Sequence, residues 1–196
     1  MKIILASQSP NRKKLLAKIG LSFKVFSPDI QEEKFIKPKE PENSCLYIAE
    51  QKALKAQSLY KTEIIIACDQ MAYCNGKLFG KAYTEEKAIQ TLTELQGKSH
   101  GLLTGLYMLF GKKKYSYLCK SKMTMRALSP QQIKNYVLNE KPLRCAGGYH
   151  VESQGLKLFE EIETEDFNSI EGLPLIRIIN QLEKWAYPLF EHTDAV

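Results

Sequence analysis

The sequence predicts an α/β fold. Short apolar runs typical of strands alternate with segments that carry apolar residues at helical spacing, and this alternation is typical of the α/β class. The chain has 196 residues, of which 44% are hydrophobic and 26% charged, so disordered and fibrous architectures are excluded. We expect residues 1–196 to form a single domain of one body or two closely packed lobes.

The chain begins with a predicted strand, tight loop and helix. The run Ile3 to Ala6 is apolar and stops at Ser7. Ser9 is a suitable N-cap, Pro10 fits the first helical position, where no N–H is required, and Gly20 marks the end of the helix.

A linker, a second helix and a buried strand follow. The linker, residues 27–43, is rich in proline, lysine and glutamate, and Ser44 is predicted to cap a helix that extends to about Tyr60. The continuous apolar run over residues 64–68 is typical of a strand buried on both faces. Because this run stops at Asp69, we expect Asp69 to lie at the carboxyl end of that strand.

Turn and cap signals define the next two elements. Asn75-Gly76 predicts a hairpin between strands over residues 71–73 and 78–79. Thr84 is predicted to begin a helix that stops at Gly97.

The second half of the chain is predicted to hold two long strands, a helix, a strand and a final helix. Ser129 to Gln132 combines a capping box with proline at the first helical position. The predicted elements are strands over 100–110 and 115–128, a helix from 130 to about 138, a loop over 146–148, a strand over 156–162, and an amphipathic helix from 174 to about 185.

Net charge, cysteine content and the length of the apolar runs indicate the class of ligand and the cellular compartment. The net charge is +6, from 28 basic and 22 acidic residues, which suits an anionic ligand such as nucleic acid or a phosphorylated metabolite. The five cysteines are odd in number and form no C-x-x-C pair, which favours reduced thiols. The apolar start is too short for a signal peptide, and the longest apolar stretch falls below the roughly 18 residues of a membrane span. We therefore expect a cytoplasmic protein without membrane contact.

The first candidate site is the segment Ser7-x-Ser9-Pro10-x-Arg12-Lys13-Lys14. A strand-to-helix turn aims free backbone N–H groups at one spot, and three cations in the first helical turn oppose the helix dipole. A bound phosphate would remove that conflict, whereas a solvated basic face is the alternative.

The second candidate is Asp69, because a carboxylate that follows five apolar residues is costly unless it is paired, metal-bound or catalytic. Glu32 and Glu33 on the linker, and Glu152 after the glycine loop, are candidates to join it in a site of oxygen ligands, which suits Mg²⁺. Each acid taken alone is more typical of an exposed position on the surface.

Two lysines could reach a polyphosphate as mobile charges. Lys52 lies within the alanine-rich helix face, and Lys81 follows the glycine of the hairpin; either could instead be solvated. Neither a P-loop nor G-x-G-x-x-G is present, so nucleotide binding would need another scaffold. His100, His150 and His192 have no metal-ligand or triad spacing.

Six short segments follow one another in the chain: Leu5-Ala6-Ser7-Gln8-Ser9-Pro10-Asn11-Arg12, Ala49-Glu50-Gln51-Lys52-Ala53, Cys68-Asp69-Gln70, Gly80-Lys81, Ala146-Gly147-Gly148-Tyr149 and Glu171-Gly172-Leu173-Pro174-Leu175. In this order they resemble the Maf family of nucleoside triphosphate pyrophosphatases, and the resemblance extends from Lys2 to about Trp185. The resemblance implies an elongated, twisted mixed sheet with flanking helices, and two lobes that enclose a nucleotide-binding cleft. It also implies a cytoplasmic enzyme, often a homodimer, that uses a divalent cation, Mg²⁺ or Mn²⁺, to cleave a nucleoside triphosphate into the monophosphate and pyrophosphate.

The resemblance also assigns site residues. It implies that Asp69 and Glu32 are the catalytic acids and metal ligands, and that Ser7, Arg12, Lys52 and Lys81 face the phosphates. Gln70 and Glu152 are similar to the subfamily that acts on 7-methyl-GTP, while Asn11 departs from the Arg or aromatic residue found there in relatives. Asn11, Gln70 and Glu152 are therefore the predicted specificity residues.

Three alternative functions stay open at this stage. One is a dTTP/UTP pyrophosphatase of the same family. Another is a basic nucleic-acid-binding module, favoured by the net charge and by ten tyrosines that could stack on bases, although we expect no stable nucleic-acid partner. A third is a catalytically silent nucleotide-binding regulator of cell division.

Overall fold

The computed structural model describes residues 1–190. The strands are β1 (Ile3–Ala6), β2 (Phe23–Phe26), β3 (Ile64–Cys74), β4 (Lys77–Phe79), β5 (Ser99–Phe110), β6 (Lys113–Met125) and β7 (Phe159–Glu163). The helices are α1 (Pro10–Lys18), α2 (Pro41–Gln57), α3 (Glu85–Leu95), α4 (Pro130–Glu140) and α5 (Leu175–Lys184), and short 3₁₀ turns cover Glu32–Phe35, Gln154–Leu158 and Phe167–Glu171. His192, for which the sequence predicts no role, lies outside the described residues.

The seven strands form one open mixed sheet in the order β2-β1-β3-β5-β6-β7, with β4 paired to β3. β1 runs parallel to β2 and β3, whereas the other pairs are antiparallel. Helices pack against this sheet, so the predicted α/β class with a mixed sheet and flanking helices is confirmed.

Apolar contacts place helices on both faces of the sheet. On one face, the alanines of α2 pack against Ile65 and Ala67 of β3. On the other face, Leu16 of α1 and Ile178 of α5 pack against Ile66. α3 and α4 cover the region of β5, β6 and β7 in a separate cluster of buried side chains. This layering brings α1 and α2, which carry Arg12 and Lys52, to opposite faces of the sheet beside β3, which carries Asp69.

One edge of β3 is open in the middle. β1 pairs with β3 as far as Ala67, and β4 pairs with the same edge only from Ala72 onward. Residues 68–71 therefore have no strand beside them on this edge, while their other edge pairs with β5. The loop after β1 and the loop after β4 border this gap.

The close approach of α2 to the sheet depends on Gly105 of β5. A Cβ at position 105 would lie 3.0 Å from the Cys45 carbonyl oxygen and 3.2 Å from the Cys45 sulfur. The absence of a side chain at Gly105 thus sets the depth at which α2 packs, and α2 carries Lys52.

The helix caps and the tight turn predicted from the sequence are present in the structure. The Ser9 side chain accepts from the Arg12 backbone N–H at the start of α1, and Ser129 and Gln132 form the predicted capping box. Asn75 and Gly76 both have positive φ, as the predicted hairpin turn requires.

Two predictions in the first half are wrong. α2 begins at Pro41, and Ser44 is buried inside its first turn, where the Ser44 hydroxyl bonds to the Lys37 and Glu40 backbones. β3 does not end before Asp69 but continues to Cys74, because β5 pairs with it along almost its whole length. Asp69 is therefore in the middle of a strand, level with the gap in its open edge.

Three further strands differ from the prediction in their existence or their bounds. The short edge strand β2 is not predicted, since half of its residues are exposed and carry no buried pattern. The predicted strand over 156–162 begins only at Phe159, because the Gly155 N–H bonds to the His150 carbonyl in a tight turn. β6 covers 113–125, shifted from the predicted 115–128. None of the helices among residues 1–190 has both the length and the apolar character needed to span a membrane.

Candidate active site

Asp69 lies in the gap on the open edge of β3 and is only 6% exposed. Its Oδ1 accepts a hydrogen bond from Lys52 Nζ at 2.6 Å. A buried carboxylate without a partner would be strongly unfavourable, and the ion pair with Lys52 stabilises Asp69 in its charged form.

Lys52 reaches Asp69 because α2 packs its alanine face on the sheet. Ala49 and Ala53 on either side of Lys52 are fully buried, and Lys52 itself is 5% exposed, so a solvated lysine at this position is excluded. Burial alone would lower the pKa of Lys52, but the charges of Asp69 and Glu32 outweigh it and raise that pKa. Lys52 is therefore a permanent cation inside the site.

Glu32 joins the same ion pairs from the 3₁₀ turn Glu32–Phe35. Its Oε1 lies 2.8 Å from Lys52 Nζ, and its Oε2 lies 3.3 Å from Lys81 Nζ. Burial would raise the pKa of Glu32, but the two lysines outweigh this effect and lower it. Two acids and two lysines from four distant segments thus form one chain of alternating charge.

Arg12 closes the other side of the gap. Its Nη1 donates to the Cys68 carbonyl at 2.7 Å and to Ser7 Oγ at 3.4 Å, and its Nε donates to the Gly172 carbonyl at 2.9 Å. The Ser7 hydroxyl also accepts from the Ser9 backbone N–H at 3.1 Å. The guanidinium is therefore fixed beside β3, at the amino end of α1.

The three predicted specificity residues are not in one cluster. Asn11 donates from Nδ2 to Glu152 Oε1, so these two residues meet at the start of α1. The amide of Gln70 is instead engaged by Thr104 Oγ1 at 3.1 Å and by the Ser169 and Ile170 carbonyls at 3.0 and 3.3 Å. Gln70 thus holds the 3₁₀ turn Phe167–Glu171.

Two of the four acids that are candidates for a metal site lie together in the structure. Glu33 is exposed, Glu152 contacts Asn11, and within residues 1–190 no three histidine, cysteine or acidic side chains come together as a metal cluster. Asp69 and Glu32 remain within contact of the same ammonium group. A pair of carboxylates fits Mg²⁺, which takes one or two from the protein and the other oxygens from water and phosphate.

Two groups that complete the arrangement have no role predicted from the sequence. The Gly172 carbonyl orients Arg12, and Gly172 has a φ of 110°, which favours glycine. Thr104, in the middle of β5, touches both Gln70 and Ser169. The Glu171-Gly172-Leu173-Pro174-Leu175 segment was the available signal for Gly172, whereas a single threonine in an apolar strand gave none for Thr104.

Several known proteins are similar to this chain along most of its length. The model of a family described as Maf-like protein matches residues 2–185. A 7-methyl-GTP pyrophosphatase from Bdellovibrio bacteriovorus is 39% identical over 92% of this chain and 95% of the relative. The enzyme of the same name from Aliivibrio fischeri is 40% identical over 93% and 95%. A dTTP/UTP pyrophosphatase from Dictyoglomus turgidum is 35% identical over 95% and 97%.

Among solved structures, the Ham1 protein of Staphylococcus aureus is similar with a TM-score of 0.53 at 15% identity. The match covers 93% of this chain and 100% of that chain. At this identity the likeness concerns the fold alone.

Proposed function

The chain belongs to the Maf-like family, and on that premise we propose that it hydrolyses a nucleoside triphosphate to the monophosphate and pyrophosphate. The observation that carries this proposal is the buried contact of Asp69 with Lys52 at the open edge of β3, where Arg12 is also fixed. A carboxylate surrounded by cations suits a reaction in which water attacks a phosphate and an anionic group leaves.

In the proposed reaction, water attacks the α-phosphorus atom and the bond from that atom to the bridging α–β oxygen breaks. The Asp69 carboxylate accepts the water proton, and the electron pair of the broken bond leaves with pyrophosphate. Arg12, Lys52 and Lys81 offset the charge that develops on the phosphate oxygens. Arg12 is pre-oriented by its three acceptors, whereas the partly exposed Lys81 can move to the outer phosphates.

We further propose that Asp69 and Glu32 hold a divalent cation, Mg²⁺ or Mn²⁺. When bound, the cation would neutralise phosphate charge and polarise the phosphoryl group. Both carboxylates contact Lys52 in the free protein, so Lys52 stands in for part of that positive charge. Location in the cytoplasm and assembly as a homodimer stay predictions.

We propose 7-methyl-GTP as the substrate. Methylation at N7 gives guanine a positive charge, and its Watson–Crick edge offers adjacent N–H donors, so the Glu152 carboxylate can match it in charge and geometry. Glutamine in its place would suit a uracil or thymine edge better. The relatives named 7-methyl-GTP pyrophosphatase support this assignment, while the Dictyoglomus relative keeps dTTP and UTP as the second candidate.

The deciding experiment compares kcat/KM for 7-methyl-GTP, GTP, dTTP and UTP. We expect the wild type to prefer 7-methyl-GTP and Glu152→Gln to reduce that preference by about 10- to 150-fold, the value of one charge-assisted hydrogen bond. Glu160→Gln, which removes an exposed charge on β7, is the matched control and should leave the ratios unchanged. Preference for dTTP or UTP in the wild type would refute the substrate assignment.

The two non-catalytic alternatives make a different prediction in the same experiment. A nucleic-acid-binding module or a silent regulator would release no pyrophosphate from any of the four nucleotides with Mg²⁺ present. A nucleic-acid-binding role also gives no reason for the buried contact between Asp69 and Lys52.

A further inference from the structure

The 3₁₀ turn Phe167–Glu171 is held to β3 and β5 by buried polar contacts. Thr104 is 1% exposed, and its Oγ1 donates to the Ser169 carbonyl at 2.9 Å. Gln70 Nε2 donates to that carbonyl and to the Ile170 carbonyl, and it also donates to Thr104 Oγ1. Thr104 thus links the strand and the turn through one hydroxyl group.

The same turn leads directly to the group that orients Arg12. Gly172 follows the turn, and its carbonyl accepts from Arg12 Nε at 2.9 Å. Arg12 then donates back to β3 at the Cys68 carbonyl. β3 is therefore tied to the turn on both sides of Asp69, through Cys68 and Arg12 on one side and through Gln70 on the other.

We propose that Thr104 is a positioning residue for the proposed reaction, because it holds the Gly172 carbonyl in the place that orients the Arg12 guanidinium. This inference rests on the proposed function. Thr104 is buried and its hydroxyl contacts Gln70 and the Ser169 carbonyl, so its effect on the reaction passes through the turn to Arg12. Since a displacement of about 1 Å in a reacting group can cost about 100-fold in rate, loss of a buried hydroxyl at Thr104 should reduce turnover.

The test uses the isosteric change Thr104→Val, which removes the hydroxyl and keeps the shape. We expect kcat to fall about tenfold and the affinity for inorganic pyrophosphate to weaken, while Thr104→Ser restores both. Thr91→Val is the matched control, because Thr91 is a buried threonine of α3 that lies outside this set of contacts. It should leave kcat and pyrophosphate affinity unchanged.

A double-mutant cycle with Arg12→Ala separates positioning from general destabilisation. If Thr104 acts through Arg12, Thr104→Val adds almost nothing to the loss of kcat and of pyrophosphate binding in Arg12→Ala. Additive losses, or normal kcat in a folded Thr104→Val protein, would overturn the inference. Thr104→Ala takes the place of Thr104→Val if the valine variant does not fold.

The two proposals fail in different ways. A wild type that hydrolyses no nucleoside triphosphate contradicts the proposed function. In an active wild type, failure of the Thr104–Arg12 coupling contradicts only the positioning role.

Discussion

Lys52 and Asp69 are 17 residues apart in the sequence, and Lys52 Nζ lies 2.6 Å from Asp69 Oδ1 in a buried ion pair. Lys52 also contacts Glu32, which in turn contacts Lys81. Each acid and each lysine of this group is therefore paired with an opposite charge inside the protein. In the proposed reaction, a nucleotide bound with a divalent cation would exchange these partners: the acids would contact the cation and the lysines would contact phosphate.

Asp69→Asn should abolish turnover without unfolding the protein. The change keeps the size of the side chain, and Lys52 retains Glu32 as a partner. Removing a proton acceptor of this kind costs about 10² to 10⁴-fold in rate. Pyrophosphate release measures the loss, and circular dichroism checks the fold; near wild-type release would show that Asp69 is not the proton acceptor.

Lys81→Ala should weaken binding of the triphosphate about tenfold and leave binding of the free nucleoside unchanged. Lys81 contacts only Glu32 among the charged groups of the site and is partly exposed, so its removal should barely change thermal stability. Isothermal titration with both ligands is the measurement. Equal losses for nucleotide and nucleoside would contradict a phosphate-binding role.

Lys52→Ala should differ from Lys81→Ala by also destabilising the fold. It leaves the carboxylates of Asp69 and Glu32 without the cation they share, and breaking a buried pair costs about 3–5 kcal/mol. Urea unfolding of the two variants compares the costs. Equal stability of the two variants would show that the Lys52 pairs contribute nothing to folding.

Glu32 should contribute stability that is lost in acid. Its pKa is lower in the folded protein than the ordinary value of 4.5, because Lys52 and Lys81 outweigh the effect of burial. A depressed carboxyl pKa stabilises the fold above the unfolded value, and that stability is lost as the pH falls through the folded value. The Tm difference between wild type and Glu32→Gln should thus be constant from pH 6 to 8 and shrink below about pH 4.5; a difference that grows in acid would contradict this sign.

Gly105→Ala should lower both stability and activity. The new methyl group would meet the Cys45 carbonyl oxygen at 3.0 Å, so α2 must shift away from the sheet. Overpacking of this kind costs about 1–3 kcal/mol. Because α2 carries Lys52, kcat should fall with the stability, whereas Gly111→Ala, in open space at the β5–β6 turn, tests the strain of a positive φ alone and should leave kcat unchanged.

Local structure and the types of side chain in the site could be predicted from neighbouring residues. Ser9 and Pro10 begin α1, and Asn75-Gly76 turns the hairpin, because caps and tight turns depend on neighbouring residues alone. An acid after an apolar run indicated a carboxylate that is paired, metal-bound or catalytic, and in the structure Asp69 is paired with Lys52. The family match over residues 2–185 agrees with the resemblance inferred from six short segments.

Which of these groups come into contact depends on how distant segments of the chain pack together. β3 continues through Asp69 because β5 pairs with it, and strand pairing between distant segments has no local signal. Glu33 and Glu32 are adjacent in sequence, yet only Glu32 contacts Lys52, since the 3₁₀ turn directs the two side chains differently. Gln70 bonds to the turn Phe167–Glu171, and no local pattern could predict this contact. Its partners Ser169 and Ile170 are far away in the sequence, and packing of the whole chain brings them to Gln70.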